Sequence, residues 1–190
     1  MARLFLIRHG RPAAPWGQPA SDPGLSELGR EQARAAAAVL AEAGRLRALS
    51  SPMLRCLETA EPYVALTGCS LGVEPAVSEI KAPAGIEDRA HWLQERFPWR
   101  ASNPIRTWDG LEPALRLWRD EVVAAARAIG EDTAVFSHFI VINVLTGAAM
   151  GSDRTIVCRP DHASITEIEV EEGALKLVSA AREMQIDDVR

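Results

Sequence analysis

The chain has 190 residues and a formal net charge of −5, with 47% hydrophobic and 25% charged residues. This length and composition are typical of one globular domain with a full core, and they exclude a disordered chain. The acidic balance argues against general nucleic-acid binding, and the chain lacks both a run long enough to span a membrane and the apolar stretch of a signal peptide, so we expect a cytoplasmic protein.

Strands and helices alternate in the first part of the chain. Ser26 followed by an alanine-rich stretch predicts a capped helix that ends at Gly44. The segment before it holds four prolines and two glycines, which predicts a loop. The predicted elements are a strand at 3–8, a loop at 11–24, a helix from 26 to about 43, a strand at 46–50 and a helix at 53–66.

The alternation continues in the second part around one irregular segment. We expect a strand at 71–76, irregular structure at 80–110, a helix at 112–129, a strand at 133–137, a helix at 139–150, and strands at 164–170 and 174–180. This order predicts an α/β fold of three layers, in which helices cover both faces of a mostly parallel sheet. We expect residues 1–190 to form a single domain.

The first predicted strand ends in a group of residues suited to chemistry. Arg8, His9 and Gly10 follow directly on its apolar run. Arginine offers a planar fork of donors that fits a phosphate, histidine can act as a nucleophile, and glycine allows a turn or a close approach of ligand. Since ligands in α/β folds bind beyond the carboxyl ends of strands, these residues indicate a site there.

Two further strand ends carry related residues. Ser51 and Arg55 follow the second strand, and Ser137 and His138 close the strand at 133–137. Two histidines and two arginines at three strand ends form a plausible set for phosphoryl transfer to a histidine.

The order of these motifs resembles the histidine phosphatase superfamily, the phosphoglycerate-mutase-like group. The shared residues are Arg8-His9-Gly10, Asp22-x-x-Leu25-Ser26-x-x-Gly29-x-x-Gln32-Ala33, Ser51-Pro52-x-x-Arg55-x-x-x-Thr59-Ala60 and Ser137-His138. The resemblance implies that His9 forms a phosphohistidine while Arg8, Arg55 and His138 hold the phosphoryl group. It implies no cofactor and no metal, and the four histidines show no metal-type spacing.

The resemblance also implies an acid that protonates the leaving group. Glu79 stands at the matching position after the third strand, and a carboxyl group that donates at neutral pH needs a raised pKa. A solvated loop residue is the alternative reading of Glu79. Glu74 and Glu87 are the other candidates, and Glu74 reads more simply as a charge at a strand edge.

Departures from the family pattern bear on substrate contacts. Arg11 follows the first motif in place of the usual Glu or Gln, Phe139 replaces a usual glycine, and Asn143 stands where many members carry arginine. These departures argue against a 2,3-bisphosphoglycerate-dependent phosphoglycerate mutase. His162 could line the pocket or lie in a surface loop. The candidate substrate-binding residues are Arg11, Gln18, Ser21, Phe139 and His162.

We expect the segment at 80–110 to act as a lid that sets specificity. Its tryptophans, Trp92, Trp99 and Trp108, read more simply as apolar anchors than as substrate contacts. A metal-independent phosphatase acting on a small phosphomonoester is the favoured function, and a phosphomutase or a non-catalytic phosphate-binding domain are the alternatives. No nucleic-acid or membrane partner is expected, and a homodimer is left open.

Overall fold

A six-stranded sheet forms the centre of the computed structural model, which describes residues 1–14, 22–100 and 103–184. The strands are β1 (Ala2–Arg8), β2 (Arg47–Ser50), β3 (Leu71–Val73), β4 (Thr133–Ser137), β5 (Ile165–Glu171) and β6 (Ala174–Ser179). Their order is β3-β2-β4-β1-β5-β6. Within this order, β3, β2, β4 and β1 pair with one another in parallel. β5 pairs antiparallel with β1, and β6 pairs antiparallel with β5. The expected mostly parallel sheet is confirmed.

Five helices complete the described fold: α1 (Glu27–Glu42), α2 (Leu54–Thr67), α3 (Arg89–Arg96), α4 (Pro113–Arg127) and α5 (Phe139–Ala149). Alternate side chains of β1 enter two cores. Phe5 and Ile7 pack with α1 and α2 on one face, and Leu4 and Leu6 pack with α3, α4 and α5 on the other. The three layers therefore follow from the apolar sequence of a strand that is buried on both faces.

Local signals in the sequence mark two boundaries correctly. The Ser26 hydroxyl accepts a hydrogen bond from the Gly29 amide at 3.1 Å and caps α1, which ends before Gly44 at φ +101°. The hairpin between β5 and β6 turns at Glu172 and Gly173, which both have positive φ.

Two expectations were wrong. The segment at 80–110 contains α3, which begins where the Asp88 carboxylate accepts the His91 amide at 2.9 Å, and also a short 3₁₀ turn at 108–110. The third strand ends at Val73 rather than at 76, because Pro75 starts a 3₁₀ turn that the Glu74 side chain caps. In both cases a single capping side chain, Asp88 or Glu74, sets where the short helix begins. The prolines nearby made these caps hard to predict from the sequence.

The tryptophans of this segment are anchors, as the simpler reading predicts. Trp92, Trp99 and Trp108 are 6%, 7% and 2% exposed and belong to the core on the α4–α5 face. Within the described residues, we find no helix with the length and apolar character needed to cross a bilayer.

Candidate active site

The parallel strands β1, β2 and β4 end at one edge of the sheet, and this edge collects the predicted catalytic residues. The His9 amide donates to the Ser137 carbonyl at 2.9 Å, and the Ser51 amide donates to the Phe136 carbonyl at 2.9 Å. Because β5 runs antiparallel to β1, its start also reaches this edge and brings His162 with it. The edge is therefore built from backbone pairing between strands that are distant in sequence.

His9 is buried and has the properties of a neutral nucleophile. Its Nδ1 lies 2.8 Å from the Gly10 carbonyl oxygen, which can only accept, so Nδ1 carries the ring proton and Nε2 carries the lone pair. Burial holds the pKa of His9 well below 6.5, and the charge of Arg55 lowers the pKa further. The ring is therefore unprotonated at Nε2 at neutral pH.

Glycine is required at position 10 by close packing. A Cβ there would lie 2.5 Å from the Gly29 carbonyl oxygen, which is closer than van der Waals contact allows. The Gly10 amide donates to the Thr59 hydroxyl at 2.9 Å, and this hydroxyl donates to the Arg55 carbonyl at 2.6 Å. Thr59 thus ties the turn after the nucleophile to the helix that carries Arg55.

The motif between residues 22 and 33 positions its neighbours. The Gln32 side chain accepts the Arg11 amide at 2.9 Å. Asp22 accepts the Leu54 amide at 2.8 Å at the start of α2 and lies 3.5 Å from the Arg55 guanidinium. These contacts give the motif a physical role, which is to hold Arg11 beside α1 and to cap the start of α2.

Two guanidinium groups lie at the site. Arg8 is fully buried; its Nη1 donates to the Pro160 carbonyl at 2.9 Å, and its guanidinium lies over the Phe139 ring at 5.2 Å. Arg55 is 8% exposed and its Nη2 donates to His138 Nδ1 at 3.1 Å. The Phe139 side chain is itself buried, and its ring packs against the Arg8 guanidinium.

His138 is fixed through both ring nitrogens. Nδ1 accepts from Arg55, since a guanidinium can only donate, and Nε2 therefore donates to the Ser51 hydroxyl at 2.7 Å. Burial holds its pKa well below 6.5. The His138 ring centroid lies 5.4 Å from that of His9, so the two imidazoles face the same small space.

Glu79 is a buried carboxyl group with a raised pKa. It is 7% exposed, its Oε1 accepts the Ile80 amide at 3.1 Å, and its Oε2 lies 3.9 Å from His138 Nδ1. Burial raises its pKa above 4.5, although the charges of Arg55 and Arg89 act in the opposite direction. Of the two alternatives, Glu74 caps a turn and Glu87 is exposed.

The remaining candidates divide into two groups. His162 is buried beside His9, with ring centroids 5.8 Å apart, and Arg11 is half-buried next to the nucleophile turn. Gln18 and Ser21 lie outside the described residues. In the described ranges, no three His, Cys, Asp or Glu side chains gather as metal ligands would.

Arg89 is a site residue that sequence reasoning missed. It begins α3, donates to the Ile80 carbonyl at 3.1 Å and acts electrostatically on Glu79 and His138. Burial lowers its pKa, while the charge of Glu79 raises it. Among the several arginines of the segment at 80–110, only its place in the first turn of an unpredicted helix would have singled it out.

Curated proteins with similar sequences include phosphatases and mutases. The chain is 31% identical over 167 residues to a glucosyl-3-phosphoglycerate phosphatase of Mycolicibacterium vanbaalenii, covering 82% of this chain and 67% of that protein. It is 28% identical over 166 residues to a probable phosphoglycerate mutase of Photorhabdus laumondii, covering 80% and 76%.

Solved structures share the fold over nearly the whole chain. A phosphoserine phosphatase from Entamoeba histolytica, solved with 3-phosphoglyceric acid, aligns with a TM-score of 0.70 at 19% identity and covers 97% of this chain and 98% of its own. A mycobacterial glucosyl-3-phosphoglycerate phosphatase in complex with VO₃ aligns at 0.65 and 25% identity, covering 89% and 93%. Residues 4–182 match the family itself, and the chain therefore belongs to the histidine phosphatase superfamily, branch 1.

Proposed function

We propose that this protein is a metal-independent phosphatase that hydrolyses a small phosphomonoester through a phosphohistidine on His9. The proposal is carried by one observation: the His9 proton is committed to the Gly10 carbonyl, which leaves the lone pair on Nε2 of a buried ring whose pKa the charges of Arg55 and Arg8 lower. Membership of the superfamily and the phosphatases among its relatives support a phosphomonoester hydrolase.

In the first half-reaction, His9 Nε2 attacks phosphorus, the new P–N bond forms and the ester P–O bond breaks. Arg55 and Arg8 offer donors to the phosphoryl oxygens and offset the charge that builds up in the transition state. A phosphoryl oxygen that takes the Arg55 donor frees His138 Nδ1, and this nitrogen donates to the same group once it has gained a proton. Glu79 gives its proton to the leaving oxygen, which its raised pKa permits.

In the second half-reaction, water attacks phosphorus and the P–N bond breaks. Glu79, now a carboxylate, takes a proton from the water, and inorganic phosphate leaves with the other. His9 regains its lone pair and Glu79 its proton, so the cycle closes without a cofactor. We place the organic part of the substrate against the segment at 80–110, because Arg89 of that segment donates to the Ile80 carbonyl and acts electrostatically on Glu79.

We also propose a cytoplasmic location. Its support is chemical: Cys56, Cys69 and Cys158 are all free thiols, as a reducing compartment favours. The thiol of Cys56 is buried with its pKa raised to about 12, so it is not a competing nucleophile.

Turnover of a panel of phosphomonoesters in the presence of a chelator tests the proposal. Wild type should release inorganic phosphate and carry acid-labile phosphate, and His9→Ala should do neither. His91→Ala, which alters an exposed histidine on α3, should match wild type. Movement of phosphate between substrate hydroxyls would support a mutase instead. Phosphate binding by wild type without turnover of any ester would support a binding domain.

A further inference from the structure

His162 lies beside the nucleophile, although neither half-reaction above uses it. Its side chain is 7% exposed, and its ring centroid is 5.8 Å from that of His9, almost as close as the His138 ring at 5.4 Å. An imidazole keeps at least one N–H in either protonation state, so it can always donate to an anion.

The loop that carries His162 is fastened to the catalytic strand. The Ala163 amide donates to the Arg8 carbonyl at 3.0 Å, and the Arg8 amide donates to the Ser164 carbonyl at 3.3 Å. Ala163 has φ +53°, a conformation that residues with a Cβ rarely adopt. The backbone thus holds an unfavourable conformation next to His162, and such conformations persist where the surrounding structure imposes them, often at functional sites.

Asp161 fixes the same loop from the other side. Its carboxylate accepts the His162 amide at 2.8 Å and pairs with Arg182 at 3.0 Å, and its own amide donates to the Arg182 carbonyl at 2.9 Å. The His162 Nδ1 lies 4.0 Å from this carboxylate. The imidazole therefore lies near both the Asp161 carboxylate and the His9 ring, and it is buried rather than exposed on a surface loop.

The His138 imidazole beside His9 is held by two neighbours. His138 accepts from Arg55 through Nδ1 and donates to Ser51 through Nε2. We propose that His162 is a phosphoryl-binding residue, which donates an imidazole N–H to a phosphoryl oxygen as the group moves onto His9 and off again. This inference rests on the proposed phosphatase function and adds a third imidazole to its phosphoryl site.

The His162 side chain also lines a surface groove, which affects the choice of variant. Together with Gln32, Val39 and Arg182, it lines a groove of about 470 Å³ between α1 and the start of β5. A small residue at 162 would enlarge this groove. Substitution with phenylalanine keeps a ring of similar size and removes the donor, whereas glutamine restores a donor without the ring.

The experiment measures kcat and KM for p-nitrophenyl phosphate, and the dissociation constant of inorganic phosphate by calorimetry, in His162→Phe and His162→Gln. Phenylalanine should weaken phosphate binding and raise KM by about 10- to 100-fold, the range for a lost hydrogen bond to a charged group. Glutamine should recover part of this loss. His91→Phe, on the exposed face of α3, serves as the matched control and should change neither quantity.

Unchanged phosphate affinity and KM in His162→Phe would overturn the inference. The same holds if glutamine and phenylalanine are equally weak, since that result indicates a packing role. If wild type fails to turn over any ester, the proposed function fails, and the phosphate dissociation constants still decide whether His162 binds the anion. Circular dichroism of each variant excludes misfolding, and the glutamine variant keeps the test open should phenylalanine not fold.

Discussion

The catalytic floor that we propose for this site and the cover that we expect over it are built in different ways. The floor comprises Arg8, His9, Ser51 and His138 at the strand ends, and the cover is the segment at 80–110. Polar groups of the floor are fixed by hydrogen bonds between distant parts of the chain. The cover is held by buried tryptophans. The difference teaches that the floor fixes the chemistry, while the cover can vary its polar residues without losing its attachment.

The largest expected effect falls on the acid that joins the two regions. Glu79→Gln should lower kcat/KM for an alkyl phosphate by about 10²- to 10⁴-fold, the usual contribution of general acid catalysis. For p-nitrophenyl phosphate the loss should be much smaller, because this leaving group departs without a proton. Steady-state kinetics with both esters measure the contrast. Glu87→Gln, at an exposed carboxylate, is the control, and equal losses for the two esters would remove Glu79 from the acid role.

A second prediction separates attachment of the cover from chemistry. Trp108, which is 2% exposed, packs against Phe97 in the core. Trp108→Ala should lower the free energy of unfolding by about 3–5 kcal/mol, as expected for deletion of a buried aromatic side chain. Denaturant unfolding measures this change. Leu117→Ala, at a side chain that is 61% exposed on α4, should cost far less. Similar losses in both variants would contradict the anchoring role.

A smaller effect is expected where the cover contacts the floor. Arg89→Gln removes a cation that acts on Glu79 and the charged hydrogen bond to the Ile80 carbonyl. It should lower kcat/KM by about 10-fold, in the range of a charged hydrogen bond. The size of the change should differ between substrates, because we place the organic part of the substrate against this segment. Arg116→Gln, on the exposed face of α4, is the control. A uniform effect across the panel would indicate that Arg89 acts only through the floor.

The pH profile sharpens the comparison further. The proposed reaction needs His9 unprotonated, and the lowered pKa of His9 places the acid limb of kcat/KM below pH 6.5. It also needs Glu79 protonated, and its raised pKa places the alkaline limb above pH 4.5. Glu79→Gln should remove the alkaline limb of the kcat/KM profile for an alkyl ester. The ionisation of the substrate is common to both proteins, so a limb that persists unchanged would not belong to Glu79.

The sequence predicts the floor better than the cover for a physical reason. The residues of the floor follow buried strands at fixed steps, so apolar runs and the motif order place His9, Arg55 and His138 together. The sequence of the cover has no such regular spacing of apolar residues. Asp88 caps α3 within a stretch bounded by prolines, and nothing in the sequence separates Arg89 from the other arginines nearby. Hydrogen-bond roles, such as the Nδ1 proton of His9, emerge only from the folded geometry.

The most direct test of the account is to find which nitrogen carries the phosphoryl group. Glu79→Gln, mixed with p-nitrophenyl phosphate and quenched in base, should accumulate phosphoprotein, because the acid is dispensable for this ester and the base for hydrolysis is lost. Mass spectrometry and ³¹P NMR should then locate phosphorus on Nε2 of His9. Phosphorus on Nδ1 of His9, or on His138, would contradict the assignment of nucleophile and tautomer on which the mechanism depends.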